Sequence, residues 1–138
     1  MPASESAQQN VPMVALSWGE LIDKITILEI KQRRLSSAEA IANVQRELAV
    51  LNKVFDASAV PESVAPVKQA LKAVNESLWD IEDQIRAKEA QSSFDRQFIE
   101  LARSVYINND ERAKLKRQIN KLMNSEFVEE KQYTSYSA

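Results

Sequence analysis

Apolar residues recur at spacings of three and four along most of the chain, and their register predicts five helices with no strand. The first begins at a capping signature. Ser17 is placed to accept from backbone N–H groups, Glu20 follows three residues later, and Leu16 can staple to Leu21. This helix runs to about Arg34. Leu21, Ile22, Ile25 and Leu28 cluster on one side of it, and Ile27 and Ile30 lie on the other. A helix apolar on opposite faces is usually central and covered from both directions. The second helix is expected to start near Ser36, with Glu39 three residues on, and to carry the stripe Ile41, Val44, Leu48, Leu51 and Phe55. Residues 56–63, with Pro61, connect it to a third.

That third helix, at roughly 63–90, has the strongest period in the chain. Val64, Val67, Leu71, Val74, Leu78, Ile81 and Ile85 alternate three and four, a 3.5-residue repeat that suits coiled-coil-like packing. It spans roughly 42 Å at 1.5 Å per residue and is expected to be the longest helix. Phe94, Phe98, Leu101 and Val105 mark a fourth helix. Asn108-Asn109-Asp110 then reads as a helix end followed by a new cap, and Leu115, Ile119 and Leu122 mark a fifth, ending near Asn124. Short connections favour antiparallel neighbours, so the fold class is all-α, an antiparallel helical bundle of about five helices. The expected organisation is a disordered polar lead at 1–10, one helical domain at 11–124 and a polar C-terminal tail at 125–138. Residues 11–16, around Pro12, are expected to lie extended across the bundle, and Phe127, Val128, Tyr133 and Tyr136 are docking points in the tail.

Composition narrows the chemistry. The 138 residues are 44% hydrophobic and 28% charged, ordinary values for one globular domain. One Gly and four Pro leave no glycine-rich phosphate loop. There is no Cys, which excludes disulfides and thiolate metal sites, and no His, the commonest general base and metal ligand. No cofactor and no metal are therefore expected. No apolar run approaches the ~18 residues that span a bilayer, and residues 1–10 lack a signal pattern, so the expectation is a cytoplasmic protein without a membrane partner. A net charge of −2 makes nucleic acid an unlikely partner in spite of six basic against two acidic residues between Arg103 and Lys121, a local charge of +4.

Several polar residues stand on or beside apolar faces. Glu29 projects between Ile22 and Ile25. It either pairs with Arg33 at the surface or is partly buried against a basic residue, most plausibly Arg112 or Lys116. Asn75, Trp79, Glu82 and Arg86 form a second stripe beside the core stripe of the long helix. That stripe is either a solvated flank or a polar groove floored by the tryptophan. Lys114, Arg117 and Lys121 share an outer face, whereas Arg112 and Lys116 flank the apolar face near Ile119 and Met123. An arginine there can clamp a carboxylate or phosphate bidentately, and the carboxylate can be one of the chain's own.

The blocks SWGELIDKITILEIK, LWDIEDQIRAKE, FIELARSVYINNDERAKLKRQIN and VEEKQY, in this order, resemble the bacterial domain-of-unknown-function family 6165. The likeness runs from about Val14 to Tyr133. It implies no activity. It does imply that the polar residues of those blocks merit testing first: Glu20, Asp23, Lys24, Glu29, Lys31, Trp79, Glu82, Arg86, Tyr106, Asn109, Asp110, Arg112, Lys116, Asn120, Glu129, Glu130, Lys131 and Tyr133.

Two functions of different class follow. The first is a non-catalytic interaction protein that binds a partner chain or itself as a homodimer, with the long helix as the seam. The second is a binder or enzyme acting on an anionic small molecule, such as a sugar phosphate or nucleotide sugar. Its ligand-binding set would come from Glu29, Trp79, Glu82, Arg86, Tyr106, Asn109, Arg112 and Lys116. A concave pocket gathering Arg112, Lys116 and a carboxylate would favour the second, and an exposed apolar stripe the first.

Overall fold

The computed structural model describes residues 10–136, and the expected lead at 1–10 lies outside them but for Asn10. Among the described residues there are four helices and no strand: α1 (Trp18–Arg34), α2 (Ala38–Asp56), α3 (Val64–Ala90) and α4 (Arg96–Leu122). Ser17 caps α1 by accepting from Glu20 N–H at 3.1 Å. The expected staple is not made, because Leu16 stays half exposed and residues 11–16 project into solvent rather than across the bundle. The cap of α2 is Ser37, one residue beyond the expected Ser36, and it accepts from Ala40 N–H.

Four helices replace the expected five because 108–110 does not interrupt α4. Asn108 spends its side chain on the carbonyl of Ser104 at 2.8 Å, inside the helix, and so caps nothing. The seam continues through Leu101, Val105, Asn108, Arg112, Leu115 and Ile119 at spacings of three and four, with two polar residues occupying core positions. At 27 residues α4 equals α3, so α3 is not the single longest helix. Both end in the same way. Ser92 and Asn124 take φ of 52°, and the N–H groups of Ser93 and Ser125 return to the carbonyls of Lys88 and Asn120. This left-handed stop normally favours glycine, and short polar residues serve here instead.

The centre of the molecule is α1, which packs against each of the other three helices. One face places Leu21, Ile25 and Leu28 on Val44 and Leu48 of α2. An adjoining face seats Ile22 among Val64 and Leu71 of α3 and Leu115 and Ile119 of α4. The helix is covered from more than one direction, as its apolar pattern predicts, but Ile22, expected to share a side with Leu21, Ile25 and Leu28, packs in the other cluster. Ion pairs from Glu29 to Lys68 and Lys72, and from Arg33 to Glu76 and Arg34 to Asp80, show α1 running in the same sense as α3. It runs against α2 and α4.

The lengths do not match. With 17 residues α1 covers about 25 Å, whereas α3 and α4 reach about 40 Å at 1.5 Å per residue. The α3–α4 hairpin therefore continues beyond the hub as a two-helix arm. No residue of α3 after Asn75 is buried, and none of α4 before Ala113. Leu71 is core, but Val74, Leu78 and Ile81, expected as core, are only half-buried. Beyond α4 the chain doubles back as an extended strap, 124–136, along that helix.

Candidate functional site

The polar centre of the hub is built on Asp23. Its side chain is only 4% exposed, and its two oxygens accept from Nε and Nη2 of Arg112 at 3.0 and 2.5 Å. Asn75 adds a third donor at 2.9 Å, and the same amide nitrogen donates to Thr26 Oγ1 at 3.0 Å. The Thr26 hydroxyl in turn donates to the carbonyl of Asp23 at 2.7 Å. Three helices thus meet in one closed network, and among the described residues no buried side-chain nitrogen or oxygen lacks a partner. Its bond to Asp23 raises the guanidinium of Arg112 above the ordinary arginine value, against the opposing effect of burial.

A second network closes the start of α1. The Trp18 and Gly19 N–H groups donate to Ser125 Oγ at 3.3 Å and to Asn120 Oδ1 at 2.7 Å. Lys116, buried beside them, reaches Glu20 at 2.5 Å and Glu129 of the strap at 3.2 Å. Burial works against its charge, but the two carboxylates outweigh burial and the ammonium sits above the ordinary lysine range. Gly19 is the one glycine in the chain. A Cβ there would stand 2.6 Å from the carbonyl of Lys116, so α1 and α4 touch backbone to backbone.

Where the arm leaves the hub lies a cavity of about 610 Å³. Ile27, Ile30, Leu78 and Val105 supply its apolar wall, Trp79 stands at the side, and Asn75, Asn109 and Arg112 form the polar end. Glu82, Asp83 and Arg86 line the rim, where Arg86 donates to Glu82 at 3.0 Å. The second stripe of α3 borders this cavity, with Asn75 buried, Trp79 half-buried and Glu82 and Arg86 solvent-exposed. The groove is not basic. Both cations in its lining have a carboxylate partner in the chain, and Asp83 adds a further negative charge.

Of the sequence-derived candidates, Trp79, Glu82, Arg86, Asn109 and Arg112 come together in this cavity. The other three do not. Glu29 meets Lys68 and Lys72 at 3.8 and 3.4 Å on the face between α1 and α3, not Arg112, Lys116 or Arg33. Tyr106 packs on Tyr136 of the strap, with ring centroids 5.0 Å apart. Lys116 belongs to the start of α1 and does not share a pocket with Arg112. The carboxylate that does meet Arg112 is Asp23, which sequence reasoning named only within the family blocks. Asp23, Ile27 and Ile30 follow one another at four and three residues, so the second apolar side of α1 carried the signal.

The chain matches the family of unknown function DUF6165 over residues 13–138. It belongs to this family. No curated protein and no solved structure matches it. The DUF6165 match takes in all four helices, the cavity and the strap. Among the described residues of this DUF6165 protein no helix is long and apolar enough to cross a membrane. Likewise, no three carboxylates gather to hold a metal ion.

Proposed function

We propose that the protein is a non-catalytic binding module whose α3–α4 arm and adjoining cavity receive a helical segment of a partner protein. The single observation that supports this reading is the mismatch in length. The apolar repeat of α3 and α4 runs on through Ile81, Ile85 and Leu101 past the end of α1, where among the described residues no third helix packs on it. An amphipathic helix laid along that seam would continue the packing that α1 makes on the hub. Its charge follows from the arm. Residues 76–111 hold nine acidic against four basic side chains. A basic partner helix suits that surface, and arm-on-arm pairing of two copies sets like charges against each other.

Fluorescence titration tests this in a Trp18→Phe background, where Trp79 alone reports. A peptide with leucines at helical spacing and a lysine face should give a saturable change, lost when Ile81→Glu or Ile85→Glu spoils the seam. A scrambled peptide of equal charge that binds as well would refute the docking. Light scattering behind a sizing column should give 15.6 kDa. Twice that mass, abolished by Ile85→Glu, would make the partner a second copy.

A further inference from the structure

A second cavity, of opposite character, lies on the other side of α4. The strap is pinned at three points. Ser125 is held by Asn120 and Trp18, Glu129 by Lys116, and Tyr136 by Tyr106. Between these anchors the strap and α4 enclose an open space of about 550 Å³. Tyr106, Asp110, Ala113 and Arg117 follow at four, three and four residues, so one face of α4 forms the floor. The small Ala113 at its middle leaves depth.

The charges here differ from those of the groove by α3. Arg117 and Lys131 reach this space, and neither has a carboxylate partner among the described residues. Lys131 instead lies over the ring of Tyr133 at 5.4 Å. The one acid in the lining is Asp110, which holds the phenol of Tyr136 above its ordinary value. Three tyrosine rings border the space, each partly open to solvent. A volume of this size is typical of small-molecule sites.

We propose that this cavity binds a nucleotide, a phosphate-bearing planar ring. The phosphate lies between Arg117 and Lys131, where a guanidinium fork and an ammonium meet its oxygens. The ring lies against the tyrosines, whose faces stack on any base. Asp110 sits between these ends and accepts from a sugar hydroxyl or an exocyclic amine. Anion chemistry is thus assigned to the strap side of α4 and not to Arg112 and Lys116, whose charges the chain itself neutralises. This site is independent of the docking arm, and either can fail alone.

Calorimetric titration of the full chain with ADP at low salt tests the assignment. Saturable binding is expected. Arg117→Gln and Lys131→Gln should each weaken it about tenfold or more, the equivalent of ~1.4 kcal/mol. Tyr136→Ala should weaken it several-fold, and inorganic phosphate and adenosine should each bind at least about tenfold less tightly than ADP. All three positions are solvent-exposed, and circular dichroism verifies that the variants remain folded. No saturable binding of ADP at millimolar concentration would overturn the proposal. So would adenosine matching ADP, phosphate matching ADP, or an affinity indifferent to both cation substitutions.

Discussion

Arg112→Ala removes two of the three donors to a carboxylate that is only 4% exposed. Each charge-assisted hydrogen bond contributes roughly 1.5–3 kcal/mol, so the gross loss is about 3–6 kcal/mol. Two features reduce it. Arg112 lines the open cavity with its side chain 30% exposed, so water can follow it in, and Asn75 still donates to Asp23. A net cost of about 3 kcal/mol results, at the low end for breaking a buried pair. Asp23→Ala should cost less, about 2 kcal/mol, because the released guanidinium can turn into the cavity while Asn75 keeps Thr26 as an acceptor. Urea denaturation followed by circular dichroism measures both variants and the double mutant. The double mutant should lose about 1–3 kcal/mol less than the sum of the singles, since removing both charges leaves neither stranded. Glu29→Ala is the control. Its lysine partners are partly solvated, and it should cost under about 1 kcal/mol. Strict additivity of Asp23→Ala and Arg112→Ala, or a larger cost for Glu29→Ala than for either, would refute the reasoning.

Gly19→Ala should destabilise by about 1–3 kcal/mol, because its methyl meets backbone rather than a movable side chain; an unchanged urea midpoint would contradict the close approach. Lys116 has a raised folded pKa, so its contribution is complete below the ordinary lysine value of 10.5 and is lost as pH rises through the higher folded value. Thermal melts should therefore show an alkaline fall in stability that is reduced in Lys116→Met. Leu71→Ala, at 0% exposure, should cost about 3–5 kcal/mol and half-buried Leu78→Ala about 1–2 kcal/mol, a ranking that equilibrium unfolding checks directly.

Local pattern was enough to read α1, α2 and α3 within one or two residues, because their caps and stripes are contained in the elements themselves. It failed on α4 for a tertiary reason. Asn108 and Arg112 occupy seam positions where periodicity requires apolar side chains, and Arg112 is there because Asp23, 89 residues away, needs it. The same long-range partner explains the misplaced ion pair. Glu29 and Asp23 both stand beside apolar residues of α1, and only the packing of α3 and α4 decides which carboxylate meets a guanidinium and which meets lysines. The groove residues Trp79, Glu82 and Arg86 were visible together because one helix carries them all. Lys116 and Tyr106 were not, because the strap that engages them has no periodic signature.

The start of α1 is finished by groups made much later. Trp18 and Gly19 wait for Ser125 and Asn120, 107 and 101 residues further along the chain. On a ribosome the central helix therefore emerges ahead of its partners and has to remain without this seat until α4 has been made. The α3–α4 hairpin, whose contacts are nearer in sequence, can form before it. Loops that close over such separations are entropically slow to form, and slow closure leaves apolar surface open to wrong partners. The order of synthesis thus runs against the order of assembly. A stop codon just before Asn120 would leave most of the hydrophobic sequence intact and yet leave the central helix with no terminus to dock. Such a chain should be recovered as a helical but non-cooperative species whose amides exchange throughout α1.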